Sequence, residues 1–432
     1  MLFCDKNGLS QTIKVKHYSR PEINDMLFSS RKSAGSNNMT GDGKITGSKE
    51  KPVKKIAGFF LSAIDKGGMK HMKKTIKRVL SVMLTAALTI SSMAACSKKK
   101  SSEGTTAAGG QSSGDVDIII GTANGSLCLA PLHIAIDNGY FEEEFSKEGI
   151  TWRVEEIDLN NLSDLVASNK VDASTQLAGA MIPQIDNGLE ITFTAGLHTG
   201  CTKYYVKPDS EIQSVADLKG KKIGVPGIGD SSVIALKRLL FDNGIGVTTE
   251  NLEVEWVVYG LTDLPLALEN GAVDVVALHD PVAYSAEQEY GFRKILDLST
   301  DEKFQNEYCC MAFVTSRLAK ENPKAAAAYT RAMLKASAFV QANPKEAAKI
   351  QIDNNQCSGD VEINASLLAS YNYGPSVSIA ADTIENAATE LVRIGELKAD
   401  DPKVFIDKAF TRFEGVPDSY KYENGEFVEV NK

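Results

Sequence analysis

The sequence has 432 residues and a formal net charge of −9 at pH 7, a value that conceals two oppositely charged parts. Residues 1–100 carry 20 Lys and Arg against 6 Asp and Glu, whereas residues 101–432 carry 27 against 50. Because nucleic-acid binding needs a basic surface, the acidic larger part excludes that class of function.

A targeting segment explains much of the basic N-terminal part. Basic residues at 73–78 precede an uncharged run of apolar and small residues at 79–95, which is short for a membrane span and typical of a signal peptide. The run ends in Met-Ala-Ala before Cys96, which resembles a bacterial lipobox. We predict a lipoprotein signal peptide at 72–95 and a lipid on Cys96. The alternative is an ordinary signal peptide that is cut near Ala95.

The segments on either side of this signal carry no core-forming pattern. Residues 96–114 are rich in Ser, Gly and Thr and predict a flexible tether. Since a signal peptide works only near an N-terminus, we expect translation to start at Met69 or Met72. Residues 1–71 are then a non-native or disordered extension. Lipid chains, at about 0.8 kcal/mol per buried methylene, would hold the protein on the outer face of the cytoplasmic membrane.

From residue 115 the chain alternates β-like runs with amphipathic helical patterns. The predicted strands are 116–121, 152–157, 171–176, 191–195, 222–225, 252–258, 273–278 and 308–315. The predicted helices are 131–141, 162–169, 179–187, 231–243, 262–270, 281–290, 323–342, 344–353 and 383–397. This alternation predicts an α/β fold of mainly parallel sheets flanked by helices.

A sequence pattern that occurs twice indicates two similar lobes. Residues 165–176 and 266–277 share a helix end, a tight turn and a Val-Asp pair that opens a strand. We predict that 115–203 form the first part of lobe I, 204–307 form lobe II, and 308–432 return to lobe I. Clefts between domains are frequent ligand sites.

Two segments carry a resemblance to a known family. Residues 121–144 combine a strand end, a small polar loop and a helix that runs into Gly-Tyr-Phe. Residues 218–232 combine a turn, the strand Lys-Ile-Gly-Val and a Gly-rich loop that enters a helix. Over about 115–415 the chain resembles the type II periplasmic substrate-binding proteins of ABC transporters. The members it resembles carry aliphatic sulfonates, taurine, nitrate or thiamine-pyrimidine precursors.

The resemblance implies the extracytoplasmic solute-binding component of an ABC importer, for a small anionic or polar solute such as an aliphatic sulfonate, taurine or nitrate. The alternative solute is a thiamine pyrimidine precursor or a related heterocycle. The implied partners are an ABC permease and its ATPase, with the protein itself a monomer without enzymatic activity or cofactor. Less favoured alternatives are an exported sensor and an enzyme like the family's pyrimidine synthase, which consumes its own histidine with pyridoxal phosphate.

Ligands in such folds bind beyond the carboxyl ends of strands, where helix starts present free N–H groups. Polar or small residues at these positions are the candidates for ligand binding: Asn124, Ser126, Thr175, Gln176, His198, Gly229, Ser231, Ser232, His279 and Asp280. Two alternatives stay open. Asp230 or Ser231 could simply cap a helix, and Asp280 could cap the next one instead of pairing with a ligand amine.

The seven cysteines show no Cys-x-x-Cys pair and no nearby group of histidines, so the sequence predicts no metal site. A disulfide between Cys128 and Cys201 is open to an exported protein. The adjacent pair Cys309 and Cys310 is interpreted as buried packing within a strand.

Overall fold

The computed structural model describes residues 3–4, 10–11, 116–399 and 401–431. The chain divides into two units, Met1–Gly110 and Gln111–Lys432. In the first unit, Phe3–Cys4 pairs antiparallel with Ser10–Gln11. The predicted signal peptide, Cys96 and the tether lie outside the described residues. Among the helices that are described, none has both the length and the apolar composition that a membrane crossing requires.

The second unit alternates strands and helices. In chain order the strands described there are β1 (Ile118–Thr122), β2 (Trp152–Glu156), β3 (Ala173–Leu177), β4 (Ile191–Thr199), β5 (Thr202–Val206), β6 (Lys222–Val225), β7 (Glu255–Val258), β8 (Val275–His279), β9 (Arg293–Asp297), β10 (Tyr308–Thr315), β11 (Ser419–Glu423) and β12 (Glu426–Val430). The α-helices are α1 (Ala130–Asp137), α2 (Tyr140–Glu148), α3 (Leu162–Ala167), α4 (Ala178–Asp186), α5 (Ser231–Asp242), α6 (Leu264–Glu269), α7 (Val282–Tyr290), α8 (Ser316–Glu321), α9 (Pro323–Ala342), α10 (Pro344–Asp353), α11 (Val361–Ser370), α12 (Val377–Ile394) and α13 (Pro402–Ala409).

Two five-stranded sheets organise this unit. One has the order β2-β1-β3-β10-β4 and the other β9-β5-β8-β6-β7, and we call the parts built on them lobe I and lobe II. In each sheet four strands run in one direction and one runs in reverse, β10 in lobe I and β5 in lobe II. The mainly parallel α/β architecture is therefore confirmed, with one reversed strand in each sheet.

The central strands are buried because helices cover the sheets. Ile118 and Ile120 of β1 are fully buried, and every residue of β4 is buried. Helices α9 and α12 both pack on β4. Continuous apolar runs suit strands that are covered on both faces.

The reversed strands mark where the chain changes lobes. It leaves lobe I at Thr199 and enters lobe II at Thr202, then returns between Asp297 and Tyr308. A Cβ placed on Gly200 would lie 2.4 Å from the Ser299 backbone nitrogen, so the two crossovers touch. Only glycine fits at this contact.

Several predicted elements differ from the observed ones. The single helix expected at 131–141 is two helices, because Asn138 ends α1 and Gly139, at φ 73°, redirects the chain into α2. The helix expected at 383–397 begins six residues earlier, at Val377, where Ser376 caps it. The strand expected at 191–195 extends to Thr199, which places His198 within β4.

Candidate functional site

Four cysteines and two histidines lie together at the boundary between the lobes. We call this group the inter-lobe cluster, and its members are Cys128, His198, Cys201, His279, Cys309 and Cys310. All are buried except Cys309, which is partly exposed. His279 ends β8 of lobe II, and the other members belong to lobe I or to the crossover. The cluster therefore spans the boundary.

Strand pairing places the lobe I members side by side. His198 is near the carboxyl end of β4, and Cys309 and Cys310 open β10. Because β4 and β10 are antiparallel, the end of one lies beside the start of the other, and Cys310 pairs directly with His198. Cys201 lies in the crossover that follows β4.

A short turn carries Cys128 to the same place. The loop after β1 forms a 3₁₀ turn, Leu127–Leu129, in which the Cys128 N–H donates to Ser126 Oγ over 3.3 Å. The Tyr373 hydroxyl donates to the Leu127 carbonyl over 3.4 Å. The turn is thus held at its start and from the opposite side of lobe I.

The sulfur atoms are close without being bonded. Cys201 Sγ lies 3.2 Å from Cys309 Sγ, whereas a disulfide needs about 2.05 Å. Hydrogen bonds from Cys201 and Cys310 outweigh burial and hold the pKa of Cys128 well below its usual value, and the same two residues lower the pKa of Cys309. Both shifts favour the thiolate form, which is the nucleophilic and metal-binding form of cysteine.

The ring of His198 is oriented by the backbone. Its Nδ1 lies 2.9 Å from the Thr199 carbonyl oxygen, which can only accept, so Nδ1–H is the donor. Nε2 is buried and has no hydrogen-bond partner within the described part of the chain. The ring stands 4.8 Å from that of Tyr373 and 5.7 Å from that of Tyr371.

His279 connects the cluster to a helix start in lobe II. Its Nδ1 lies 3.7 Å from Cys201 Sγ and 3.3 Å from Thr202 Oγ1, and its Nε2 lies 3.4 Å from Asp230 Oδ1. Burial alone would lower the pKa of His279, but the Asp230 carboxylate outweighs it and raises the pKa to about 9. The pair is therefore an imidazolium and a carboxylate at neutral pH.

The start of α5 is capped by a carboxylate. Asp230 Oδ1 accepts from the Ser232 N–H over 2.9 Å and from the Ser232 hydroxyl over 2.5 Å, which is the capping alternative recognised in the sequence. Ser231 Oγ is buried and unpartnered among the described residues. Gly229 is exposed, and a Cβ placed on it would meet nothing within 4 Å.

Asp280 is buried and has several partners. Its carboxylate accepts from the Lys203 ammonium, from the Tyr371 hydroxyl and, over 3.0 Å, from the Tyr284 N–H in the first turn of α7. In this structure the charge of Asp280 is matched by Lys203, which occupies the place expected for a ligand amine.

The candidates in the first half of lobe I are spread apart. Asn124 is exposed and donates to Glu156 Oε1 over 3.4 Å, whereas Ser126 orients Cys128. Thr175 is buried in β3, and its Oγ1 has no hydrogen-bond partner among the residues that the structure describes. Gln176 turns back to accept from the Leu177 N–H over 2.9 Å. Of these, Ser126 is tied directly to the inter-lobe cluster.

Sequence reasoning selected both histidines of the cluster but none of its cysteines. Their spacing matches no metal-binding motif, because three separate segments supply the thiols. A signal was present for one of them: Cys201 lies just beyond the end of β4, by the same logic that selected His198 and His279. Cys309 lies at the start of β10, and Cys128 lies in the turn well after β1.

Solved structures share this architecture at low sequence identity. The alkanesulfonate-binding protein SsuA from Xanthomonas axonopodis pv. citri has a TM-score of 0.55 and 15% identity, covering 68% of this chain and 98% of that chain. The nitrate-binding protein NrtA from Synechocystis PCC 6803 has a TM-score of 0.55 and 16% identity, covering 68% and 85%. The aliphatic sulphonate-binding protein SsuA from Escherichia coli has a TM-score of 0.54 and 18% identity, covering 72% and 97%.

These likenesses show that the described body has the fold of periplasmic binding proteins. Comparison with curated proteins found no match. The family model described as NMT1/THI5 like matches residues 128–347, about half of the chain, and this range includes the inter-lobe cluster and every strand of both sheets except β1. The chain belongs to the NMT1/THI5-like family.

Proposed function

We propose that this protein is the extracytoplasmic solute-binding component of an ABC importer, which captures a small solute between its two lobes. The observation that carries the proposal is the convergence of strand ends and helix starts from both lobes on one buried boundary. There, His198 Nε2 and Ser231 Oγ are buried polar atoms without a partner among the described residues. Such atoms cost free energy unless something binds them.

The lobes meet closely enough for a closed state. A Cβ placed on Gly179, at the start of α4, would lie 3.4 Å from Ser231 Cβ, at the start of α5 in the other lobe. A cavity of about 50 Å³ lies beside this contact, lined among others by Gly200, Arg238 and Cys309. Bending at the two crossovers would open the boundary to solvent and then close it around a solute.

The proposed solutes start from those that the family and the similar structures suggest. Aliphatic sulfonates, taurine and nitrate would use helix-start N–H groups, and a thiamine pyrimidine precursor would use ring contacts. Asp230 argues against an anion at α5, because its carboxylate already occupies the helix start and would repel one. The rings of His198, Tyr371 and Tyr373 instead suit a heterocycle or a cation.

Thermal unfolding of the purified full chain with a solute panel tests the proposal. The panel holds taurine, alkanesulfonates, nitrate, aminopyrimidines, riboflavin and divalent metal ions. A true solute at one hundred times its Kd should add about 2.7 kcal/mol of stability. If that solute is an organic molecule or an anion, the double variant Ser231→Ala, Ser232→Ala should bind it more weakly, whereas the exposed Ser146→Ala should not. A panel without any stabilising solute would count against solute capture.

The membrane anchor is a separate part of the proposal. Lipid on Cys96 would keep the protein on the outer face of the cytoplasmic membrane, near its proposed permease and ATPase. In the native host, Cys96→Ser should move the protein from the membrane fraction to the soluble fraction, and mass spectrometry of the wild type should find a lipidated N-terminal Cys96. Wild-type protein that carries no lipid would reject the anchor while leaving solute capture to its own test.

A further inference from the structure

The thiols of the inter-lobe cluster form one continuous set of metal-binding atoms. The ligand atoms of Cys128, His198 and Cys310 lie within 4.8 Å of one another, and so do those of Cys201, Cys309 and Cys310. Cys310 belongs to both triads, so the two triads adjoin one another at its sulfur atom. No exposed carboxylate is needed to complete this set.

His198 supplies an independent indication of a ligand. Its Nδ1–H is bound to the Thr199 carbonyl, so Nε2 is the ring nitrogen that is left to bind a ligand. That nitrogen is fully buried and has no hydrogen-bond partner within the described residues. Histidines that bind metals have this arrangement, in which the outer ring nitrogen donates to a backbone carbonyl and fixes the tautomer.

The cluster gathers its ligand atoms from four segments of the chain. The turn after β1, the end of β4, the crossover and the start of β10 bring their polar sulfur and nitrogen atoms to one point, although the surrounding core is apolar. The 3.2 Å between Cys201 Sγ and Cys309 Sγ is too long for a disulfide. Three thiolates and one imidazole are a set that thiophilic ions such as Zn²⁺ bind tetrahedrally, with metal–sulfur distances near ~2.3 Å.

We propose that the solute captured by this protein is a thiophilic divalent metal ion, bound by Cys128, His198, Cys310 and one thiolate from Cys201 or Cys309. This proposal rests on the proposed function of solute capture and names the class of its solute. The position of the cluster supports cargo rather than a permanent structural ion. The cluster adjoins the crossover into lobe II, where His279 Nδ1 lies 3.7 Å from Cys201 Sγ, so bending at the crossovers would change its access to solvent.

Cobalt is the direct probe of the site. The full chain, purified reduced and free of metal, is titrated with Co²⁺ and then with Zn²⁺. We expect one Co²⁺ per chain with thiolate-to-cobalt charge-transfer bands and the strong visible bands of tetrahedral cobalt, both removed by stoichiometric Zn²⁺. The absence of charge-transfer bands would overturn the proposal.

Matched variants locate the binding atoms. Cys310→Ser should weaken Co²⁺ binding at least ~100-fold, since even second-shell changes cost about 10–100-fold. His198→Gln should weaken binding while its charge-transfer bands remain. Cys357→Ser, which alters a buried cysteine outside the cluster, should bind like the wild type. Circular dichroism verifies that each variant is folded, and Cys128→Ser provides a second test if Cys310→Ser is not. Equal binding by a folded Cys310→Ser and the wild type would refute the site.

The rate of metal release and the change in the protein's radius of gyration on binding distinguish a transported ion from a permanently bound one. A chelator should remove a transported ion within minutes. Adding Zn²⁺ should reduce the radius of gyration measured by small-angle scattering. An ion that survives prolonged dialysis against the chelator, or that binds without compaction, would overturn the cargo assignment. Compaction by an organic solute but not by Zn²⁺ would reject the metal and retain solute capture, and compaction by neither would count against both.

Discussion

At the scale of single residues, a buried ion pair sits where the lobes meet. Lys203 and Asp280 belong to lobe II and are almost completely buried, and Tyr371 of lobe I donates to the same carboxylate. Buried pairs contribute little net stability, but leaving one member without its partner is costly. Lys203, Asp280 and Tyr371 therefore fix the local structure and connect the two lobes.

Removing the charge of Lys203 tests the role of this ion pair. Lys203→Met leaves the Asp280 carboxylate buried without a counter-charge, and we expect it to lower the free energy of unfolding by about 3–5 kcal/mol in urea titration. The control Lys345→Met removes an exposed pair with Glu362 and should cost no more than about 1 kcal/mol. A combined Lys203→Met, Asp280→Asn variant should recover part of the loss. A loss as small as that of the control would show that Asp280 does not depend on Lys203.

At the scale of elements, α2 is held against α9 by charge. Glu144 is buried in α2, 2.6 Å from Arg331 Nε and 2.6 Å from Lys335 Nζ, both on α9. Burial alone would raise the pKa of Glu144, but hydrogen bonds from Arg331, Lys147 and Lys335 outweigh it and lower the pKa to about 2. The packing of these two helices therefore depends on an ionised carboxylate.

The ionised Glu144 carboxylate predicts a loss of stability in acid. The folded pKa of Glu144 is about 2 against an ordinary 4.5, so its contribution is complete above about pH 4.5 and is lost as the pH falls towards 2. The contribution is on the order of 3 kcal/mol. Chemical denaturation from pH 5 to pH 2 should show a shallower loss in Glu144→Gln than in the wild type or in the exposed Glu362→Gln. Parallel curves would reject the role of Glu144.

The contact between the two crossovers also requires a residue without a side chain at position 200. Gly200→Ala would place a Cβ 2.4 Å from the Ser299 nitrogen, and overpacking of this kind costs about 1–3 kcal/mol. Gly229→Ala meets nothing within 4 Å and is the matched control. Thermal unfolding should therefore show a lower Tm for Gly200→Ala alone. Equal Tm values would mean that the crossovers can separate freely.

At the scale of the whole molecule, ion pairs join the lobes at one edge. Helix α5 of lobe II and helix α12 of lobe I are linked by Arg238 with Glu390 and by Asp242 with Arg393, and Lys237 reaches Glu396 just beyond α12. Arg238 is buried and also binds Glu307 in the second crossover over 2.7 Å. These contacts favour the closed arrangement of the lobes.

Removing the Arg238 ion pairs should favour the open form. Arg238→Met leaves Glu307 and Glu390 without their shared cation, and we expect the solute-free variant to have a larger radius of gyration in small-angle scattering. Arg317→Met, which removes an ion pair with Asp172 inside lobe I, is the control and should not change the radius. An unchanged radius in Arg238→Met would indicate that the lobes are held by other contacts.

Local pattern was enough to predict much of this molecule. Apolar runs and helical periodicity follow from short-range physics, so β6, β10, α9 and α10 are observed at the predicted bounds. The same patterns, with the resemblance carried by 121–144 and 218–232, led to the two-lobe α/β fold. The break at Gly139 was not predicted, because one helical stripe continues across two helices.

The sequence by itself determined the alternation of elements, the two-lobe class and the positions of polar residues at strand ends, since each depends on neighbours within a few residues. Only the tertiary structure decided that Cys128, Cys201, Cys309 and Cys310 lie in one cluster with His198. The physical reason is that their meeting depends on strand order and on the antiparallel pairing of β4 with β10, which join segments far apart in the chain. The spacing of the cysteines along the sequence does not indicate that geometry.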